Sequence, residues 1–309
     1  MLEKEFVIRV NKIFHDVEAA AYTSEHPEIF ELEQQRWQVL SVKFFKTGKP
    51  LRILDLGSGT GFVPLEIGPY LKAGDEVICA DVSEKMLERC RENLERRNFK
   101  NKFNYLKLED QRLAIEDQSV DLVTLNSVLH HLPQTAESLA EVSRVLKPGG
   151  LLIIAHEPHQ DFFKHKFLWF NYKLWRVLTG SRFLMEAIMK RLGLKKLFDE
   201  KFQDQSGYTP KLEKVNQQLI AEGLISEPLS PWKMGKIVDY YSATGFSVKE
   251  ILKAYLPGYQ MIFFETYNHL YRVFMYAHRN LILKWYNGLL SKLFPKNGAT
   301  FTAVFKKYE

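Results

Sequence analysis

Cysteine is scarce in this chain of 309 residues. Cys79 sits in an apolar run and Cys90 in the helical pattern after it, a pair that gives neither a disulfide framework nor metal-ligand spacing. No stretch approaches the ~20 consecutive apolar residues of a membrane span. The opening residues Met1-Leu2-Glu3-Lys4-Glu5 lack the basic start and apolar core of a secretory signal, so a cytoplasmic protein is expected. Internal repeats and low-complexity linkers are also missing, and length and composition fit one large or two unequal globular units. The glycine-rich turn Asp55-Leu56-Gly57-Ser58-Gly59-Thr60-Gly61 contains no lysine. It therefore has neither the G-K-[ST] ending of a P-loop nor the G-x-G-x-x-G spacing that aims a helix at a pyrophosphate.

What the turn does have is three alternating glycines behind the apolar run Leu51 to Leu54, with a carboxylate two residues ahead of the first. Glycine permits positive φ and close approach of a ligand to the backbone. An acid at that point would repel a diphosphate and suits a ligand carrying an ammonium group. Glu76 to Ala80 reads as a second buried strand ending at Asp81, which is placed to accept hydrogen bonds from both hydroxyls of a ribose. Further strands are expected at Phe103 to Leu108, Asp121 to Asn126 and Leu151 to Ala155. Their alternation with helical patterns predicts a parallel, doubly wound sheet. Ligands of such sheets bind at the carboxyl ends of the strands, where Gly57, Asp81, Glu109 and Asn126 fall.

Five segments in order carry a family resemblance: the acid with G-x-G-x-G from Asp55, the D-x-S-x-x-M-L turn from Asp81 to Leu87, Leu113-Ala114-Ile115-Glu116-Asp117-Gln118-Ser119-Val120-Asp121, the His130-His131-Leu132 segment, and Leu146-Lys147-Pro148-Gly149-Gly150. Together they resemble the class I S-adenosylmethionine-dependent methyltransferases, in the ubiquinone/menaquinone-biosynthesis-like, small-molecule branch. The resemblance implies a Rossmann-like, doubly wound, seven-stranded sheet with its last strand antiparallel, and S-adenosylmethionine as cofactor. Asp55 would hold the methionine ammonium, Gly57, Ser58, Gly59 and Gly61 would admit the cofactor, and Asp81 would bind ribose. Val82 and Met86 would pack on adenine, and Glu109 or Asp110, with Gln111, would hold its amino group. Asn126 closes this set at the end of the fourth strand.

The resemblance covers residues 51 to 155 and leaves helical additions around them. The expected organisation is an N-terminal helical cap (1–49), a cofactor-binding core (50–155), a helical lid insertion (156–231) and a completion of the core (232–309). In that last part Lys233 to Tyr241 would be the final core helix, Gly245 to Leu252 the sixth strand and Ala299 to Phe305 the seventh, separated by an aromatic helical insertion at 258–296. His15, Tyr22 and Trp37 of the cap are candidates to face the pocket.

Between Phe162 and Phe198 nine basic residues stand against a single acid, Glu186, among many aromatics, so this window alone exceeds the net charge of +6 of the whole chain. Basic amphipathic helices with Trp and Phe suit a membrane interface. Peripheral membrane contact through this region is therefore expected as an alternative to simple packing of lids over a greasy pocket. Aromatic and basic interleaving also suits single-stranded nucleic acid. The Asn126-Ser127-Val128-Leu129 segment, however, lacks the N-P-P-Y or D-P-P-F pattern that resembling nucleobase methyltransferases carry, so a nucleic-acid partner is not expected.

Methyl transfer from a sulfonium needs alignment above all, and positioning can supply ~7–11 kcal/mol. A base is required where the acceptor must lose a proton, and histidine is the side chain suited to it. His131, His156 and Glu157 hang over the expected methyl position and are the catalytic candidates; His130 and His159 stand beside them. No metal site is expected from their spacing. The expected function is methyl transfer to a small or lipophilic molecule. A methyltransferase for RNA or protein and a non-methylating cofactor-binding protein or cyclase are the alternatives.

Overall fold

The computed structural model describes residues 3–26, 28–45, 48–109, 112–180, 208–239, 244–271, 273 and 280–308. Seven strands form one sheet: β1 (Arg52–Leu56), β2 (Glu76–Asp81), β3 (Lys102–Lys107), β4 (Val120–Asn126), β5 (Leu146–Pro158), β6 (Tyr259–Tyr267) and β7 (Thr300–Lys307), in the order β3-β2-β1-β4-β5-β7-β6. β7 runs antiparallel to both neighbours and the other pairings are parallel. This is the expected Rossmann-like, doubly wound sheet with its last strand reversed.

The helices are α1 (Glu3–Glu18), α2 (Tyr22–Glu25), α3 (Gln34–Phe44), α4 (Phe62–Ile67), α5 (Glu84–Glu95), α6 (Thr135–Val145), α7 (Gln160–Lys164), α8 (Lys166–Gly180), α9 (Tyr208–Ala221), α10 (Pro231–Val238), α11 (Val248–Glu250) and α12 (Leu281–Leu293). Successive strand residues point to opposite faces, and the core divides accordingly. Leu54, Ile78, Val123 and Leu152 bury one face beneath Leu139, Val142 and Val145 of α6. Ile53, Val77, Leu122 and Ile153 bury the other beneath α3, α4 and α5 through Trp37, Leu40, Val63, Ile67, Leu87 and Leu94. Each such side chain contributes about 1.5–3 kcal/mol of transfer free energy, so apolar strands in the sequence become central strands here.

Two helical clusters stand apart from these layers. Val10, Ile13 and Phe14 of α1 pack with Leu212, Val215 and Leu219 of α9 and with Met234 and Val238 of α10. Phe162, Leu168 and Tyr172 pack with Leu270, Leu283 and Leu290.

Three sequence expectations are corrected. The segment from Gly245 to Leu252 is not a strand: Ser247 Oγ accepts the Glu250 N–H at 3.3 Å and caps α11, while Phe246 makes a lone bridge to His159. The sixth strand lies instead at Tyr259–Tyr267, inside the stretch expected to be an aromatic helix, and among the described residues of that stretch the expected helix is Leu281–Leu293. A register shift between Met261 and Phe263 breaks its two-residue alternation, which hides the strand from a periodicity reading. The helix expected from Lys233 is α10, and it completes the α1–α9 cluster rather than covering the sheet.

Candidate cofactor and active site

β1 delivers its last residues into the glycine turn at the carboxyl edge of the sheet. The N–H groups of Gly57 and Ser58 both donate to the Ala80 carbonyl, at 2.7 and 3.0 Å, so the turn hangs on the end of β2. All three glycines have positive φ, but they serve different ends. A Cβ on Gly57 would run into the Val128 side chain and one on Gly61 would lie 2.8 Å from Cys90 Sγ, whereas one on Gly59 would meet nothing within 4 Å. Gly57 and Gly61 are thus needed for packing, and Gly59 leaves its backbone open to a ligand.

Asp55 is buried behind the turn. Thr124 Oγ1, on the paired residue of β4, donates to its Oδ1 at 2.6 Å. Its Oδ2 has no hydrogen-bond partner among the described residues. Burial pushes the carboxyl up to about 7 against the hydrogen bond of Thr124, and the nearby charge of Asp81 adds to the rise. A buried carboxylate oxygen without a donor is costly unless a cation meets it, and a primary ammonium fits that requirement.

Asp81 ends β2 one turn away. Its Oδ2 accepts the Gly59 N–H and its Oδ1 the Ser83 N–H, both at 2.9 Å. Each oxygen keeps a second lone pair, which matches the two hydroxyls of a ribose. Burial raises this carboxyl as well, against the Ser83 hydrogen bond. Ser83 Oγ caps α5 by accepting the Met86 N–H at 3.1 Å, and its hydroxyl donates to Asp16 of α1 at 2.5 Å. Val82 is half-buried and Met86 buried beneath this turn. Glu109 is exposed and ion-paired with Lys107 at 3.1 Å. Asp110 and Gln111 lie outside the described residues.

The loop after β4 is organised by Glu157. The carboxylate is fully buried, its Oε1 accepts the N–H groups of Val128 and Leu129 at 2.7 and 2.6 Å, and its Oε2 accepts His130 N–H at 3.1 Å and faces His130 Nδ1 at 2.9 Å. These bonds occupy the carboxylate expected to be catalytic and make it the anchor of the loop. Despite its burial, His130 is raised above the usual histidine range by that partner. His131 has the opposite character: burial first, then the neighbouring charges of His130 and His15, holds it well below that range. Its Nδ1 lies 2.6 Å from the Val238 carbonyl, which can only accept, so Nδ1 carries the proton and Nε2 the lone pair. The cap supplies His15, whose ring centroid is 5.3 Å from that of His131, and Trp37, whose Nε1–H donates to Asn126 Oδ1 at 2.9 Å.

His156, the other catalytic candidate, adopts φ +56° and turns toward the cap, its Nδ1 3.0 Å from Glu33 Oε1. Tyr267 donates to the same carboxylate at 2.8 Å, and the Arg36 guanidinium stacks 3.4 Å above the Tyr267 ring. Burial of Glu33 opposes ionisation, but His156 and Arg36 outweigh it and hold the carboxyl below its ordinary range. His159 is buried against Phe264 and Phe301, with Nδ1 3.2 Å from the Gly298 carbonyl, and burial lowers its pKa. Both are built into the junction of β5 with its neighbours. Tyr22 packs on His26 and Phe30 within the cap. Among the described residues the potential metal ligands brought together are His130, His131 and Asp239, with ligand atoms within 4.8 Å of one another. A cleft at the opposite ends of the strands, lined by Lys49, Lys147 and Lys306, is remote from all of these groups.

Sequence reasoning missed Thr124 and Glu33. Thr124 could have been found by aligning β4 with β1; Glu33 carries no local signal.

Residues 54–154 match the family described as methyltransferase domain. That segment, about a third of the chain, is a methyltransferase domain, and its sheet order is that of the class I S-adenosylmethionine-dependent enzymes. Among curated relatives, the ubiquinone/menaquinone biosynthesis C-methyltransferase UbiE of Pectobacterium atrosepticum is 30% identical over 152 residues, which cover 49% of this chain and 59% of the relative. The enzyme of the same name from Azotobacter vinelandii is 26% identical over 49% of this chain and 60% of its own. The chain thus spans about 59% of the length of the first of these relatives. A solved S-adenosylmethionine-dependent methyltransferase from Aquifex aeolicus shares 25% identity over 42% of this chain and 70% of its own, with a TM-score of 0.37.

Proposed function

We propose that the protein transfers a methyl group from S-adenosylmethionine to a small, lipophilic acceptor held between the sheet edge and the helical cap. The observation that carries this reading is the orphaned Oδ2 of buried Asp55, set one turn from the paired acceptors of Asp81 and the open backbone of Gly59. In this reading Asp55 takes the ammonium, Asp81 the ribose, Gly57, Ser58, Gly59 and Gly61 the cofactor backbone, and Val82 and Met86 the adenine side, with Glu109 or Asp110 and Gln111 at its amino group. Asn126 fixes the cap through Trp37. When bound, the cofactor supplies an electrophilic methyl group; the chain's own residues orient the acceptor and exclude water. His131 Nε2 is the proton acceptor, because Nδ1 is committed to Val238 and the ring is kept neutral. Glu157 holds the His130–His131 turn, and His156 holds cap to sheet through Glu33. The relatives' naming as ubiquinone/menaquinone biosynthesis enzymes favours a lipophilic acceptor.

The test incubates the protein and methyl-labelled S-adenosylmethionine with a fractionated cell extract. Label is expected in the organic-soluble fraction and in S-adenosylhomocysteine release. Label confined to RNA or protein overturns the acceptor assignment, and cofactor binding without turnover overturns the transferase assignment.

A further inference from the structure

α8 and α12 lie side by side at the β5–β7–β6 end of the molecule. Tyr286 of α12 donates to Asn171 of α8 at 2.8 Å, its ring packs 5.7 Å from Trp175, and Phe294 packs 5.6 Å from Phe167. Leu168 and Tyr172 of α8, with Leu283 and Leu290 of α12, point inward to a shared core. At 3.6 residues per turn, Phe167, Phe170, Leu174 and Val177 then fall on the outer side of α8 that borders this seam, and all are exposed, Phe170 at 65%. On α12 the matching side carries Trp285, Leu289 and Leu293, with Trp285 68% exposed. Gly288 leaves a shallow depression beside Trp285 and Leu289, flanked by Lys284 and Lys292.

The charge around this apolar face has one sign. No acidic residue occurs from 162 to 180 or from 281 to 296, while Lys166, Lys173, Arg176, Lys284 and Lys292 are exposed along the two helices. Lys173 and Arg176 are carried on the far side of α8, over the rings of Trp169 and Tyr172 at 5.0 and 6.0 Å. Aromatic and leucine side chains in the middle, long cationic side chains at the rim and no carboxylate form the pattern of a surface that inserts among acyl chains and places its charges at anionic headgroups. No helix among the described residues is long and apolar enough to cross a membrane, so the surface would lie on a bilayer rather than span it.

We infer that the α8–α12 face is a docking site for an anionic lipid bilayer. It takes up the first half of the basic, aromatic window foreseen in the sequence; residues 181–198 lie outside the described residues. The inference does not depend on the methyl-transfer reading.

The test is sedimentation of the full chain with vesicles of phosphatidylcholine alone and of phosphatidylcholine with 30% phosphatidylglycerol, read with Trp fluorescence. Binding is expected to the anionic vesicles, weakened by salt. Each lysine near an anionic surface contributes about fivefold in affinity, so K173Q with K284Q weakens binding about thirtyfold. F170S with W285S abolishes sedimentation with the anionic vesicles, and all four positions are exposed, so the thermal melt of each variant should match that of the parent. Failure to bind anionic vesicles overturns the inference, as does binding unaffected by both pairs of substitutions. A concentration-dependent dimer dissolved by F170S with W285S, without vesicle binding, assigns the face to a second copy instead.

Discussion

At the scale of single residues, the proposed ammonium site at Asp55 would couple cofactor binding to pH. Its carboxyl is raised from an ordinary value of 3.8 to about 7, first by burial. A raised acid favours the folded state while it is protonated, so its contribution is present below the unfolded value and is lost as pH rises through the folded one. By linkage that loss is on the order of 2–3 kcal/mol between about pH 5 and pH 8. Asp55→Asn should flatten this part of the stability profile of the free protein in urea titrations. Cofactor binding should run the opposite way, since the ammonium requires the ionised form. Affinity is expected to fall roughly tenfold per pH unit below about 7, with proton release seen by calorimetry in buffers of different ionisation heat. A pH-independent affinity would remove Asp55 from the ammonium site. His131 makes a second residue-scale prediction. Because it is held well below the usual histidine range, kcat at saturating cofactor should stay flat as pH drops toward 6. His131→Ala should lower kcat by ~10²–10⁴ with cofactor affinity kept, and an unchanged kcat would show that the acceptor needs no base.

At the scale of elements, the loop between β4 and α6 stands or falls with Glu157. One carboxylate serves three backbone N–H groups and the His130 ring from the end of the neighbouring strand. Glu157→Gln puts an amide N–H against one set of donors, and leaving buried donors unmet should cost about 3 kcal/mol. Urea midpoints measure it; a shift equivalent to less than about 1 kcal/mol would mean that the loop is held elsewhere. This role also explains which parts of the site the sequence made legible. Asp55, Gly59 and Asp81 act through local chemistry, since a turn that needs positive φ and an acid at a strand end can be read from a few neighbouring letters. Glu157 reads as a candidate catalyst because its partners lie 27 to 29 residues earlier, and strand pairing alone brings them together. β6 was missed for a different reason. It is an edge strand with a register shift, so its buried and exposed residues do not alternate cleanly, whereas Phe246 to Lys249 alternates apolar with polar but Ser247 starts a helical turn there.

At the scale of the whole molecule, the cap is joined to the lid and to the sheet by charge as well as by packing. Glu18 closes α1 and is buried, with His26 Nε2 at 3.0 Å, Lys211 Nζ of α9 at 3.4 Å and His15 Nδ1 at 3.6 Å. Despite burial, His15 and His26 hold its carboxyl well below the ordinary range. A depressed acid contributes stability above its unfolded value and loses it as pH falls through the folded one, so acidification should loosen this joint from about pH 4.5 downward. The sheet has its own apolar layers on both faces, while α1, α9 and α10 depend on their small shared cluster. The two parts should therefore open at different free energies. Glu18→Gln is expected to raise amide exchange in residues 3–26 and 208–238 by roughly tenfold or more, the equivalent of about 1.4 kcal/mol, while β1, β4 and β5 keep their protection. Because His15 and Val238 of this same unit contact His131, the substitution should also weaken acceptor turnover more than cofactor binding. Uniform acceleration of exchange through the sheet would mean that cap, lid and core unfold as one unit, and that the site has no separately opening cover.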